Sequence, residues 1–321
     1  SVFSALGIAL AILAFKLPFQ CAVFFSPYFN AKLKENLRST SPDYVYCSTI
    51  RLMPYLIGYK GKVILEMVDS MGLNFSRRLS TARRYRKFVY WVEYLKVSRY
   101  ERMLARLPNV NSFLVSKIDQ DYIGDANISI LPLGVDTGLK SLSARNPQNE
   151  SIVFSGNMSY EPNIQAVIWF FENCWSDIQA QFPALQFFIC GAKPVKNIGK
   201  LAAHPNIIVT GRVESVHDVL TQRTISIAPM QSGSGMQFKI LEAMAAKIPV
   251  VATTLGCGVI NAKNGTDIFV ADTPKVFTDI ICHLLRSPDL ARNVGEAGCL
   301  FVEGNHSWKI INSKFLKING I

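Results

Sequence analysis

The sequence predicts an α/β protein built as two doubly wound domains of parallel strands. Three observations lead to this fold. Short runs rich in β-branched and aromatic residues alternate with helical stretches along the whole chain. These runs are almost continuously apolar rather than alternating, as strands covered on both faces are. A stretch poor in apolar residues, "LGVDTGLKSLSARNPQNE" (133–150), divides the runs into a first group of four and a second of six. Two glycines, a proline and polar side chains in that position mark an interdomain hinge. Ten strands with their helices fit two such domains better than one.

The elements follow in order. "ALGIALAILAF" (5–15) is apolar but only 11 residues long before Lys16 and Pro18. That is too short to span a bilayer, and no basic leader with a cleavage site accompanies it. It reads as a buried helix, and with Ser1 as the first residue the chain is expected to begin within a domain. The strands of the first group are "YVYCS" (44–48), "KVILEM" (62–67), "SFLVS" (112–116) and "ISILP" (128–132). Those of the second are "SIVFSG" (151–156), "LQFFICG" (185–191), "NIIVTG" (206–211), "TISIAPM" (224–230), "IPVVAT" (248–253) and "DIFVAD" (267–272). "NIQAVIWFFENCWSDIQAQ" (163–181) has helical periodicity, and "HSWKIINSKFL" ends the chain on a helix packed through Trp308. We therefore expect domains at 1–138 and 139–304, and a final helix, 305–321, that crosses back to the first. In such sheets ligands bind at the carboxyl ends of the strands, so two domains that face each other would hold a ligand in the cleft between them.

Composition narrows the function. The seven cysteines form no CxxC pair and the four histidines do not cluster near them, which argues against a zinc site or a disulfide framework and for a reduced, cytosolic protein. The net charge is +11, and residues 1–140 carry 19 Lys/Arg against 10 Asp/Glu. Arg77, Arg78, Arg83, Arg84, Arg86, Lys87, Lys96, Arg99, Arg102 and Arg106 crowd one segment. This is either a solvated helix face or a surface for anionic lipid or a phosphorylated acceptor. No nucleic-acid recognition pattern is present, and nucleic acid is not expected as a partner.

The most informative stretch is "GSGMQFKILEAMAAKIPVVAT" (233–253). Glycines let backbone N–H groups approach a ligand, and a helix N-terminus attracts phosphate. A cation such as Lys239 is disfavoured in a first helical turn unless an anion sits there, and Glu242 lies on the same face. Lysine for phosphate and carboxylate for a vicinal diol describe a nucleotide diphosphate and its ribose. An ordinary surface pair, worth about 0.3–0.5 kcal/mol, reads equally well from the spacing. Asp69, in "MVDSMG", follows a strand and could bind an acceptor hydroxyl or the donor sugar, or merely cap a turn. Ser116 ends a strand as the cap of the next helix.

Several segments together resemble the GT-B glycosyltransferases of family 4 type, closest to the exopolysaccharide-associated (exosortase-system) branch. The 233–253 stretch resembles their donor-site segment, and "VFSGNMSYEPNIQAVIWFFENCW" (153–175) the first strand, loop and helix of their C-terminal domain. "LPLGVDTGL" (131–139), "VILEMVDSMGLNFSRR" (63–78) and "FLVSKIDQDYI" (113–123) are weaker likenesses to the hinge, the acceptor-side loop and the strand before the hinge. The resemblance implies two Rossmann-like domains facing a cleft, with Glu242 on the ribose hydroxyls and Lys239 on the diphosphate. It implies Gly156 facing the phosphates and Gly233, Ser234 and Gly235 forming a loop against the donor. Asn157 and Pro162 stand where the family has a phosphate-binding Arg and Lys, so Arg212 is expected to assist Lys239. The first glutamate of the family's paired motif is here Ser234, the hinge asparagine is Leu133, and a helix-ending glycine is Lys247. Family members open with a strand and Gly-rich loop not found in this chain, so the resemblance implies an N-terminal domain that is incomplete by about 60–80 residues.

The expected activity is transfer of a sugar, with retention, from a nucleotide-sugar to a hydroxyl acceptor, a lipid-linked or polysaccharide intermediate at the inner face of the cytoplasmic membrane. Lys239 would stabilise the leaving diphosphate and Asp69 would serve the acceptor side. The nucleotide-sugar is a substrate. No cofactor is expected, and no metal, because no Asp-x-Asp motif ends a strand. The alternatives are a nucleotide-sugar 2-epimerase of the same fold, or a non-catalytic protein binding sugar nucleotides or anionic surfaces.

Overall fold

A computed structural model describes residues 17–82, 84–125, 127–137, 150–233 and 235–321. The apolar stretch 5–15, most of the hinge residues and Ser234 lie outside the described residues. The chain divides into two units, one running to Pro132 and taking in Phe315–Ile321, the other covering Leu133–Lys314.

The first unit holds β1 (Tyr44–Ser48), β2 (Lys62–Val68), β3 (Val110–Leu114) and β4 (Ser129–Ile130), in the order β1-β2-β3-β4. The second holds β5 (Ser151–Ser155), β6 (Gln186–Cys190), β7 (Ile207–Gly211), β8 (Ile225–Ala228), β9 (Val250–Ala252) and β10 (Phe269–Val270), in the order β10-β9-β8-β5-β6-β7. Every pairing is parallel, as the continuous apolar runs predict. All ten strands form where the sequence puts them, but β4 and β10 shrink to two residues. Each lies at a sheet edge, where a ladder forms on one side only.

Burial explains why the central strands read as unbroken apolar runs. Every residue of β5, β8 and β9 is buried. Period-two alternation sends Ile152 and Phe154 into one core with Val167, Phe170 and Phe187, and Val153 into another with Leu241, Met244 and Val250. In the first unit, Val63, Leu65 and Met67 share a core with Val97, Tyr100 and Leu104 of the helix Arg84–Ala105. The predicted 163–181 helix runs from Glu161 to Gln181 and contains a π-helical segment, Phe171–Trp175. The terminal helix Trp308–Asn319 carries Phe315 onto Phe113 and Tyr46, at ring separations of 5.8 and 6.5 Å. Trp308 lies against Gly134, where an added Cβ would come within 2.6 Å of its ring.

The helix expected after the glycine loop, within 233–253, is Phe238–Ala245. It ends in a Schellman motif: Ile248 N donates to Ala243 O at 3.0 Å and Lys247 N to Met244 O at 2.9 Å. The motif needs a left-handed residue, and Lys247 supplies it with φ +58°. A side chain pays about 1 kcal/mol for that conformation. Lys247→Gly is therefore expected to stabilise the protein by up to about 1 kcal/mol, read as a rise in the urea midpoint of unfolding. A midpoint that falls would show that Lys247's side-chain contacts outweigh the backbone strain.

Candidate functional site

The second unit's chemistry collects at the carboxyl ends of its strands. β5, β6 and β7, neighbours in the sheet, run into Gly156, Gly191 and, at the last residue of β7, Gly211. The backbones pass closely there: Gly156 N donates to Cys190 O at 2.9 Å, and a Cβ on Gly191 would stand 1.7 Å from Gly156 O. A Cβ on Gly156 would meet the Asn163 amide at 2.7 Å. Backbone contact requires glycine at Gly191, whereas a side chain at Gly156 would displace the Asn163 amide. Gly233 and Gly235 have φ +114° and +79°, so the loop before the helix is conformationally closed to β-branched residues. Gly235→Val would therefore strain the backbone as well as crowd any ligand that approaches it.

Lys239 does not make the surface pair with Glu242 that its spacing allows. Its Nζ donates to Asn163 Oδ1 at 2.7 Å and to Gln237 Oε1 at 3.3 Å, and lies 4.8 Å from the centre of the Phe154 ring. Asn163 is itself buried and donates through Nδ2 to Asn157 O at 3.0 Å. This chain joins the helix after β8 to the turn after β5, because β5 and β8 are sheet neighbours. Burial pulls the Lys239 pKa down to about 8, against the attraction of Glu242. Burial likewise raises the pKa of Glu242, which Lys239 draws back. An ammonium held in partial burial by neutral amides is poised to gain an anionic partner. The helix N-cap, Gln237, makes no side-chain capping bond.

The other predicted residues are distributed around this centre. Asn157 is exposed, and its Oδ1 accepts from Ser159 N and Oγ at 3.0 and 2.9 Å, a turn-forming arrangement. Arg212 is exposed just beyond β7, two strands from β5 at the sheet edge. Asn163 was not foreseen. Its signal in the sequence is a polar residue in the first turn of a largely apolar helix, seven positions after Gly156.

Asp69 lies in the first unit, just past β2. The strand bulges between Glu66 and Val68, and Val68 has φ +66°, a strained state for a β-branched residue. Asp69 does not cap the following helix. Ser70 does, accepting from Leu73 N at 3.1 Å. Asp69 Oδ1 is buried with no hydrogen-bond partner among the described residues. Burial, then repulsion from Asp119, pushes its pKa up to about 6 against the pull of Arg77. Two further buried carboxylates brace this turn. Asp119 Oδ1 accepts from Ser70 N at 2.9 Å, and Glu101 accepts from Ser70 Oγ at 2.9 Å and from the N–H groups of Met71 and Gly72 at 2.7 and 3.2 Å. Neither acid was singled out from sequence. Glu101 sits among arginines in the strongly basic segment, and only its helical register with Val97 and Leu104 signals burial. Ser116 caps its helix as expected, accepting from Asp119 N at 3.1 Å.

Comparison with known proteins finds a family model that matches part of the second unit. Residues 149–287 match the family "Glycosyl transferases group 1". The match covers less than half of this chain and lies within the second unit; the fold is the GT-B type, two Rossmann-like α/β units. In sequence, the chain is similar to an uncharacterized 44.6 kDa protein in the cps region of Klebsiella pneumoniae, 22% identical over 179 residues, 53% of this chain and 46% of that protein. The match therefore spans less than half of that relative. In structure, the chain is similar to HepE of Anabaena, solved with UDP and glucose, with a TM-score of 0.67 and 12% identity over 91% of this chain and 80% of that one. A mutant of S. aureus TarM, solved with fondaparinux, alpha-GlcNAc-glycerol and UDP, gives 0.70 and 17% over 90% and 58%. Among the described residues, no helix is long and apolar enough to cross a membrane, and no group of His, Cys, Asp or Glu could hold a metal ion.

Proposed function

We propose that this chain transfers a sugar from a nucleotide-sugar to a hydroxyl acceptor with retention of configuration. The observation that carries the reading is the half-buried Lys239 ammonium, held by Asn163 beneath the β5 glycine turn inside the domain that matches the glycosyltransferase family. In this reading Lys239 meets the diphosphate, with Gly156 and the 233–235 loop letting the backbone approach. As the sugar departs, negative charge grows on the diphosphate, and the fixed ammonium and helix N-terminus stabilise it without reorganising. Glu242 takes the ribose hydroxyls, Arg212 adds long-range positive charge, and Asn157 shapes the turn. Asp69 receives the acceptor hydroxyl. The donor is a substrate rather than a cofactor.

The UDP complexes of HepE and TarM support a nucleotide-sugar donor, and the relative in a cps region supports a role in polysaccharide assembly. The acceptor is proposed to be a lipid-linked or polysaccharide intermediate at the inner membrane face. A thermal-shift panel of UDP, GDP and ADP, followed by transfer of radiolabelled sugar to a lipid extract, tests this. One diphosphate should raise the melting temperature, and its sugar conjugate should label the extract. No response to any diphosphate would overturn the reading; binding without transfer would favour a sugar-nucleotide binding protein.

A further inference from the structure

The helix Arg84–Ala105 has two apolar sides, and only one of them is used by the core. Val97, Glu101 and Leu104 on the inner side are fully buried. On the outer side Phe88, Trp91 and Leu95 follow at helical spacing and are 69%, 48% and 47% exposed. The Phe88 and Trp91 rings lie 6.2 Å apart, forming one ridge. Continuing the same spacing, Arg99 and Arg102 are exposed on that face. A water-facing side of a helix is ordinarily polar. This one keeps large aromatic and aliphatic groups in water, backed by arginines.

We infer that this ridge docks on an anionic lipid bilayer, with Phe88, Trp91 and Leu95 entering the headgroup region and Arg99 and Arg102 at phosphate level. The occupant follows from charge complementarity. Residues 1–140 carry 19 Lys/Arg against 10 Asp/Glu, and the basic residues surround the ridge in sequence. Tryptophan and phenylalanine beside arginine on one helix face match the chemistry of the membrane interface. Each basic side chain near an anionic surface adds attraction, and the apolar residues add a component that salt does not screen. This deepens the lipid-facing part of the proposed function and rests on that reading for its purpose, though not for its measurement.

The test is co-sedimentation of the full chain with vesicles of phosphatidylcholine mixed with phosphatidylglycerol, and with phosphatidylcholine alone. The wild type should bind the mixed vesicles and bind the neutral ones weakly. Trp91→Glu with Leu95→Glu should lower binding at least about tenfold. Arg99→Glu with Arg102→Glu should cause a comparable loss, about tenfold or more. Salt near 1 M, where screening shortens to about 3 Å, should weaken the wild type but leave it more tightly bound than the Trp91/Leu95 variant. All these side chains face water, so melting temperatures should match the wild type. Equal sedimentation of the wild type and both variants would overturn the inference. So would wild-type self-association without vesicle binding, abolished by Trp91→Glu, which would make the ridge a protein interface. UDP thermal shifts on the same proteins separate the two proposals. A wild type that binds vesicles but no diphosphate leaves the docking inference standing and removes the sugar-transfer reading.

Discussion

Lys239→Ala is expected to weaken binding of the nucleoside diphosphate about 10- to 100-fold, the loss of one charge-assisted contact worth roughly 1.5–3 kcal/mol. The melting temperature without ligand should barely move. Lys239 makes no ion pair with Glu242 within 4 Å among the described residues, so its removal breaks a bond to Asn163 rather than a salt bridge. Glu242→Ala should cost a similar factor by leaving ribose hydroxyls unpaired. The pH dependence has a definite sign. With its pKa pulled down to about 8, Lys239 is protonated below that pH and neutral above it. A bound diphosphate favours the charged form, so affinity should fall as pH rises beyond about 8. Lys239→Ala should flatten that fall. Stability of the free protein runs the other way. The unfolded chain holds this proton up to higher pH, so the Lys239 contribution makes the fold more stable as pH rises above about 8. Calorimetric titration of wild type and both variants across this range decides the matter. Unchanged affinity in Lys239→Ala and Glu242→Ala would falsify the donor-site assignment.

The second large effect is expected in the first unit. Glu101 is fully buried and accepts from Ser70 Oγ and from the N–H groups of Met71 and Gly72. Alanine there would orphan buried donors at the start of the Met71–Thr81 helix, for a loss of about 2–4 kcal/mol even after the carboxylate's desolvation cost is relieved. Glutamine, which keeps an acceptor, should cost less, about 1–2 kcal/mol. Burial, the largest cause, raises the Glu101 pKa to about 7, while the bonds from Ser70, Met71 and Gly72 oppose the rise. A folded-state pKa above the ordinary value of 4.5 means that this contribution is fully present below about pH 4.5 and is lost as pH rises through about 7. Asp69 acts in the same direction, with its loss centred near pH 6. Urea unfolding followed by circular dichroism from pH 5 to 8 should show wild-type stability falling with pH, with a shallower slope in Glu101→Gln. An identical slope in the variant would mean that Glu101 keeps its proton, or its charge, throughout this range.

The sequence by itself determined the layers of this protein. Strands buried on both faces are apolar at nearly every position, so β5, β8 and β9, with serine at Ser151, Ser155 and Ser226, were legible as almost continuous apolar runs, and parallel pairing followed. Glycines at strand ends and before the Phe238–Ala245 helix were legible because close backbone contact, as at Gly191, or a positive φ, as at Gly233 and Gly235, disfavours a side chain there. Lys239 and Glu242 were visible as one helical face because three residues nearly complete a turn. The tertiary structure alone decided what these groups touch. Lys239 bonds to Asn163, 76 residues away, because β8 lies beside β5 in the sheet, an adjacency that strand order along the chain does not reveal. Glu101 reads as one charge in a basic helix until packing turns it inward onto the Ser70 turn, 31 residues earlier in the chain. Local propensity and periodicity act over a few residues, whereas the hydrogen bonds of a buried charge are chosen by whichever backbone the completed core brings within 3 Å.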